Sequence, residues 1–279
     1  MKFDESFDIL VYNEEPTDLF EHLKRYENYK GSLSTVNKHI DSKTDRVRYY
    51  KEFTALHTEN TLYRKRDDSS DAIVALWMSR VKNIVAMYTA MNDVKKFKSI
   101  SKQELSEIAK LSRNTEQLSE LESYLIKKGI ILVLEPSING LKLDGSVYIN
   151  SLGQAVVALS LRMNRLDNFW FTLMHELAHL CLHPEQLSQP ILEDLEQESV
   201  TLIEKQADKL ALNSFISRSA WRTCSARISF KKEELYEFSE RINVHPAIVA
   251  GRIRRETKRY DRFSDIVNEV DVRRIFGYE

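Results

Sequence analysis

Glycine and proline are scarce, with seven and five among 279 residues. So few turn-formers argue against a turn-dense β architecture and favour one built largely of helices. Cysteine is rarer still: Cys181 and Cys224 are the only two. Two thiols cannot form a disulfide framework, which points to a reducing compartment and a cytoplasmic protein. No sign of charge prevails, because 41 Lys and Arg stand against 42 Asp and Glu, a net charge of −1. Global attraction to nucleic acid or to a membrane surface therefore does not follow. No apolar run approaches the roughly 20 residues that span a bilayer. Met1 to Asp8 has neither the basic start nor the apolar stretch of a secretory signal. The expectation is a protein without a membrane partner, long enough for one large domain or two modest ones.

The periodicity then divides the chain. Asp18 to Tyr29 reads as a helix with Leu19, Phe20, Leu23 and Tyr26 on one face, and Arg46 to Leu56 as a second. Arg64 to Asp71 is charged and Ser-rich and reads as a solvated linker. From Ala72 an amphipathic helix carries Ile73, Leu76, Trp77, Ile84, Val85 and Tyr88. Ser101 opens another helical stretch with the capping-box pattern Ser-x-x-Glu, and helical phase continues to Lys128. At Gly129 the period changes. Ile130–Leu134, Leu141–Leu143, Val147–Ile149 and Ala155–Leu161 are apolar or alternating runs, separated by Asn139-Gly140, Asp144-Gly145 and Leu152-Gly153. They predict a sheet of about three strands, largely antiparallel. Asp167-Asn168 is expected to cap the next helix. We expect an N-terminal region without an assigned role at 1–70, a catalytic core with its preceding helices at 71–220, and a C-terminal helical region at 221–279.

That next helix contains His175-Glu-Leu-Ala-His179. Histidines four apart on a helix point the same way and can reach one metal ion. Glu176 between them can take a proton from a water activated there. The surroundings are apolar, from Phe169 to Met174 and again at Leu177, Ala178, Leu180, Cys181 and Leu182. Two histidines and a glutamate buried in such a helix need a partner, and a zinc ion satisfies them at once. A catalytic zinc site needs a third protein ligand. The pattern HExxHxxGxxH fails, because Leu182 and Glu185 occupy its glycine and last histidine positions, and His183 lies past the site. Glu204-Lys-Gln-Ala-Asp208 offers a carboxylate ligand at Glu204, with Asp208 placed to accept the outer ring N–H of a histidine. Glu193, Asp194, Glu196 and Glu198 are rival acids in a polar run. Helix, sheet, then motif-bearing helix is the order expected of a zinc-peptidase core.

The stretch Phe169 to His183 followed by Glu204-Lys-Gln-Ala-Asp-Lys-Leu-Ala211 resembles the ImmA/IrrE family of bacterial metallopeptidases. Leu161–Trp170 and Ile242–Arg252 extend the resemblance toward the branch linked to HigA-type helix-turn-helix antitoxins. The resemblance implies an α+β fold: a helix-rich zincin-like core, a small, largely antiparallel sheet and a C-terminal helical region. It implies one zinc per chain, gluzincin-like, with His175, His179 and Glu204 as ligands and Glu176 as general base. It implies a protein substrate, usually a helix-turn-helix repressor, cut in stress, phage-defence or mobile-element responses that regulate transcription. Residues 1–70 lack the helix-turn-helix of the fused branch, which favours a separate partner.

A second class of function is binding without catalysis, by a zinc-dependent module that engages nucleic acid or a partner protein. Glu233 to Arg254 has a helix-turn-helix rhythm, and Arg252, Arg254, Arg255, Lys258 and Arg259 crowd its end. Such a cluster can engage phosphates, so nucleic acid is a candidate activator. Oxyanion stabilisation beyond the metal is open to His245, Arg162 or a tyrosine. Of the two thiols, Cys181 reads as a core residue, and Cys224, between Arg222 and Arg227, as the one disposed to ionise.

Overall fold

A computed structural model describes residues 19–40, 42–55, 62–65, 71–187 and 198–278. Glu193, Asp194 and Glu196 fall outside the described residues. The helices are α1 Leu19–Val36, α2 Lys43–Ala55, α3 Asp71–Met91, α4 Lys102–Lys110, α5 Leu118–Ile126, α6 Leu166–Leu182, α7 Glu198–Phe215, α8 Arg218–Arg222, α9 Ala226–Ser229, α10 Lys232–Ile242 and α11 Pro246–Thr257. Two single turns, α12 Ser264–Val267 and α13 Val272–Ile275, close the chain. The strands are β1 Leu62–Lys65, β2 Ile130–Leu134, β3 Leu143–Ile149 and β4 Ala155–Leu159. Helix-rich with one small sheet, the fold is α+β as expected. Among the described residues no helix is long and apolar enough to cross a membrane.

The sheet order is β1-β3-β4-β2. β1 with β3 and β3 with β4 are antiparallel, whereas β2 runs parallel to β4. Largely antiparallel is therefore right, and the parallel pair is an addition. β4 shows why its run is continuously apolar. Ala155, Val157 and Leu159 face one core, whereas Val156 and Ala158 face the other. A strand buried on both faces has no solvent side to keep polar. One core holds α4 to α7 and the C-terminal helices; the other holds α1 to α3, with Trp77 wholly buried. The Trp77 indole donates to the Glu135 carbonyl at 2.9 Å, tying α3 to the end of β2.

Three sequence expectations need correction. Asp144-Gly145 is not a turn: β3 runs straight through it, because the glycine meets a need of packing described below. The supposed linker from Arg64 begins inside β1, where Lys65 pairs with Leu143. Asp167 is not the cap of α6. The cap position is Arg165, with no side-chain cap bond, and Asp167 lies in the first turn, ion-paired to Arg165 at 2.6 Å. There its charge faces the positive end of the helix dipole. The capping box forms as read: Ser101 Oγ accepts from the Glu104 N–H at 3.2 Å, and Glu104 accepts from the Ser101 N–H at 2.8 Å.

Candidate metal centre

α6 packs along β3 and β4 and crosses α7 closely. His175, Glu176 and His179 are each only 1% exposed. Their helix is therefore the buried one that its sequence describes. From α7, Glu204 reaches both rings: its Oε2 lies 3.0 Å from His175 Nε2 and its Oε1 3.3 Å from His179 Nε2. The two Nε2 atoms are themselves 3.0 Å apart. These three residues could hold a metal ion. The Glu198 side chain is not described, and His183 is the C-cap residue of α6, outside the cluster.

The protons decide whether a cation fits. His175 Nδ1 lies 2.9 Å from Asp208 Oδ1, so it donates there, and a metal that displaces any proton on Nε2 meets that nitrogen's lone pair. Burial works to raise the Glu204 carboxyl, but hydrogen bonds to His175 and His179 outweigh it and hold it down at about 2. Burial likewise keeps the His179 imidazole below its usual pKa, hence neutral, with Glu204 opposing. Three electron-pair donors thus converge on one point. A single proton on His179 Nε2 serves one neighbour at a time, whereas a cation at the centre satisfies all three. Tetrahedral zinc ligands at about 2.0–2.1 Å stand about 3.3 Å apart. The observed 3.0–3.3 Å separations fit that ion.

Beyond Asp208 lies a residue that the sequence placed elsewhere. The Arg255 guanidinium donates to Asp208 Oδ2 at 2.7 Å, making a chain Arg255–Asp208–His175. α11 brings it there because Gly251 lets α11 approach α6: a Cβ on Gly251 would meet Asp167 Oδ2 at 2.4 Å. The expected basic cluster is dispersed by the same packing. Arg252 is buried, donating to the carbonyls of Leu212 and Ile216 and to Glu256, with its guanidinium 4.2 Å from the Trp221 ring centroid. Arg254 is buried and donates to the Tyr260 carbonyl. Of the five, Lys258 and Arg259 alone are exposed, and Arg259 pairs with Asp261. No continuous phosphate-binding face forms from these residues.

The remaining candidates are also committed. Arg162 holds Asp144 through two contacts, at 2.9 and 3.2 Å. His245 caps α11, its Nδ1 accepting from the Ala247 N–H. Cys224 is only 3% exposed, and burial pushes its thiol up despite hydrogen bonds from Arg227 and Ala226 and the charges of Arg227 and Arg241. That direction is opposite to the one a thiolate needs. Burial also raises the half-buried Cys181.

Glu176 approaches the sheet at Gly145. A Cβ on Gly145 would lie 2.6 Å from Glu176 Oε1 and 2.7 Å from Thr172 Cγ2. Only a residue without a side chain leaves that carboxylate its position against β3. Residues 127–254 match the model of the Peptidase M78 family, the IrrE N-terminal-like domain. This stretch belongs to the ImmA/IrrE family. The match spans the strands β2 to β4, the motif helix, α7 and most of α11, and stops one residue short of Arg255. It supports a metallopeptidase-type chemistry. Among curated proteins, none matches the chain.

Two predictions arise here. Asp208→Ala should weaken zinc affinity about 10–100-fold without abolishing it. Arg255→Ala should move it the same way by less, and Arg255→Lys should recover part of the loss. Competition with a chromophoric chelator reads these changes; equal affinity in all four proteins would show that the chain of contacts does not tune the metal. Gly145→Ala should lower peptide hydrolysis about tenfold or more while zinc content stays near that of wild type, because the new methyl displaces a proton acceptor and not a ligand. Full activity in that variant would mean that the Glu176 carboxylate works from another position.

Proposed function

We propose that the protein is a zinc endopeptidase whose substrate is another protein, a helix-turn-helix repressor. The observation that carries the catalytic part is the convergence of His175, His179 and Glu204 beside a buried Glu176. A zinc ion held by His175, His179 and Glu204 would supply Lewis acidity and acidify the attacking water. Glu176 then takes the proton of the attacking water and delivers it to the leaving amine. Asp208 keeps the His175 proton on Nδ1, and Arg255 fixes the Asp208 carboxylate.

The substrate must present an extended segment. An extended peptide is held most economically by backbone bonds to a strand. β4 cannot serve as that strand, since it is paired on both sides. The strand beside Glu176 is β3, and its side away from β4 carries the four-residue strand β1. A folded repressor would be cut in a linker or a locally opened segment. Glutamate in a buried, metal-adjacent position favours hydrolysis over passive binding, and the dispersal of the basic cluster removes the main support for a nucleic-acid-binding module.

Co-expression with a candidate helix-turn-helix repressor, with and without DNA damage, tests the proposal. Repressor fragments should appear with wild type and vanish with Glu176→Gln. Fragments equal in both, or absent under every stress, would contradict it.

A further inference from the structure

The outer edge of β3 is already occupied. β1 lies antiparallel on it, with Leu62 opposite Val147, Tyr63 opposite Ser146 and Lys65 opposite Leu143. The alternation of the ladder identifies which groups it covers. Asp144 turns its carbonyl to β4, accepting from the Ser160 N–H at 3.0 Å. In an antiparallel ladder the next residue faces the other way. The N–H and C=O of Gly145, and of Val147 after it, therefore point outward. Gly145 is also the residue whose Cα abuts the Glu176 carboxylate. Of these residues Val147 pairs with Leu62 of β1, and Gly145, nearest the proton acceptor, lies where the β1 register shifts between Tyr63 and Lys65.

We propose that residues 62–65 are an internal occupant of the substrate edge, so that the site stays latent until an extended segment of the substrate displaces them. The inference rests on the endopeptidase reading for its consequence, but the competition for β3 can be observed without catalysis. β1 suits the role of a displaceable strand. It has four residues, and its register shifts between Tyr63 and Lys65, whereas β3 and β4 keep five pairs in unbroken register. Short, bulged edge strands are the least firmly paired. As part of the same chain it competes at a high effective concentration, which a substrate must overcome. If the edge is free in one molecule of ten, apparent affinity falls about tenfold.

Two full-length variants move the strand in opposite directions. Leu62→Pro removes the N–H that faces Val147 and should release the edge. Tyr63→Cys with Ser146→Cys joins the neighbouring register pair, a non-hydrogen-bonded position of the ladder, and should lock it. Fluorescein-labelled reduced casein serves as the unfolded probe. Its cleavage is followed with zinc-loaded protein, and its binding by anisotropy in the Glu176→Gln background. Leu62→Pro should raise both about tenfold; the oxidised double cysteine should lower both, with dithiothreitol restoring them. Binding that changes in this way without any cleavage would sustain the strand inference and count against the endopeptidase reading. Glu176-dependent cleavage with binding equal in all variants, or no binding by any of them, would overturn the inference.

Discussion

Glu176→Gln should lose about 10²–10⁴-fold of its peptide hydrolysis, the range that one positioned proton acceptor contributes, while keeping its zinc. The amide has nearly the shape of the carboxylate, so the contact with Gly145 and Thr172 persists. What disappears is the lone pair that takes a proton from water. The side chain is 1% exposed, which leaves bulk water a poor substitute for it. Metal content and melting temperature, measured on the same preparation, separate this loss from misfolding. An active Glu176→Gln protein would remove the general base from the mechanism.

Glu204→Ala should behave in the opposite way, losing the metal first and activity with it. Its carboxylate is the one charged group among the three donors and bridges both histidine rings. Without it two neutral imidazoles remain, too few for a catalytic zinc centre. Zinc added to apo wild type should raise the melting temperature, because an ion that binds only the folded state stabilises it by about 2.7 kcal/mol at a hundred times its Kd. Glu204→Ala should show little of that rise at the same zinc concentration. An undiminished rise would move the third ligand elsewhere, with Glu198 the nearest alternative by chain position.

What the sequence disclosed follows the range of the interactions. His175 and His179 were legible because four residues on a helix fix their common direction whatever the rest of the chain does. Glu204 was legible from a second helical spacing, with Asp208 one turn further on. The capping box at Ser101 and the run of β4 are likewise local or nearly so. Arg255 was not legible, because its partner stands 47 residues away and the approach depends on Gly251 lying flat against Asp167. A count of arginines put Arg252 and Arg254 on a surface, whereas tertiary packing sets Arg252 against the Trp221 ring and buries Arg254, which donates to the Tyr260 carbonyl. Gly145 misled for a related reason. Asp-Gly usually marks a turn, yet here the missing side chain makes room for Glu176. The parallel pairing of β2 with β4 has no signature in either strand.

Zinc K-edge X-ray absorption on the purified, zinc-loaded protein tests the central claim most directly. His175, His179 and Glu204 as ligands predict nitrogen and oxygen scatterers only, at about 2.0–2.2 Å, with the multiple-scattering pattern of two imidazoles. A sulfur shell at about 2.3 Å, which Cys181 or Cys224 would supply, or the signature of fewer than two imidazoles, would contradict it.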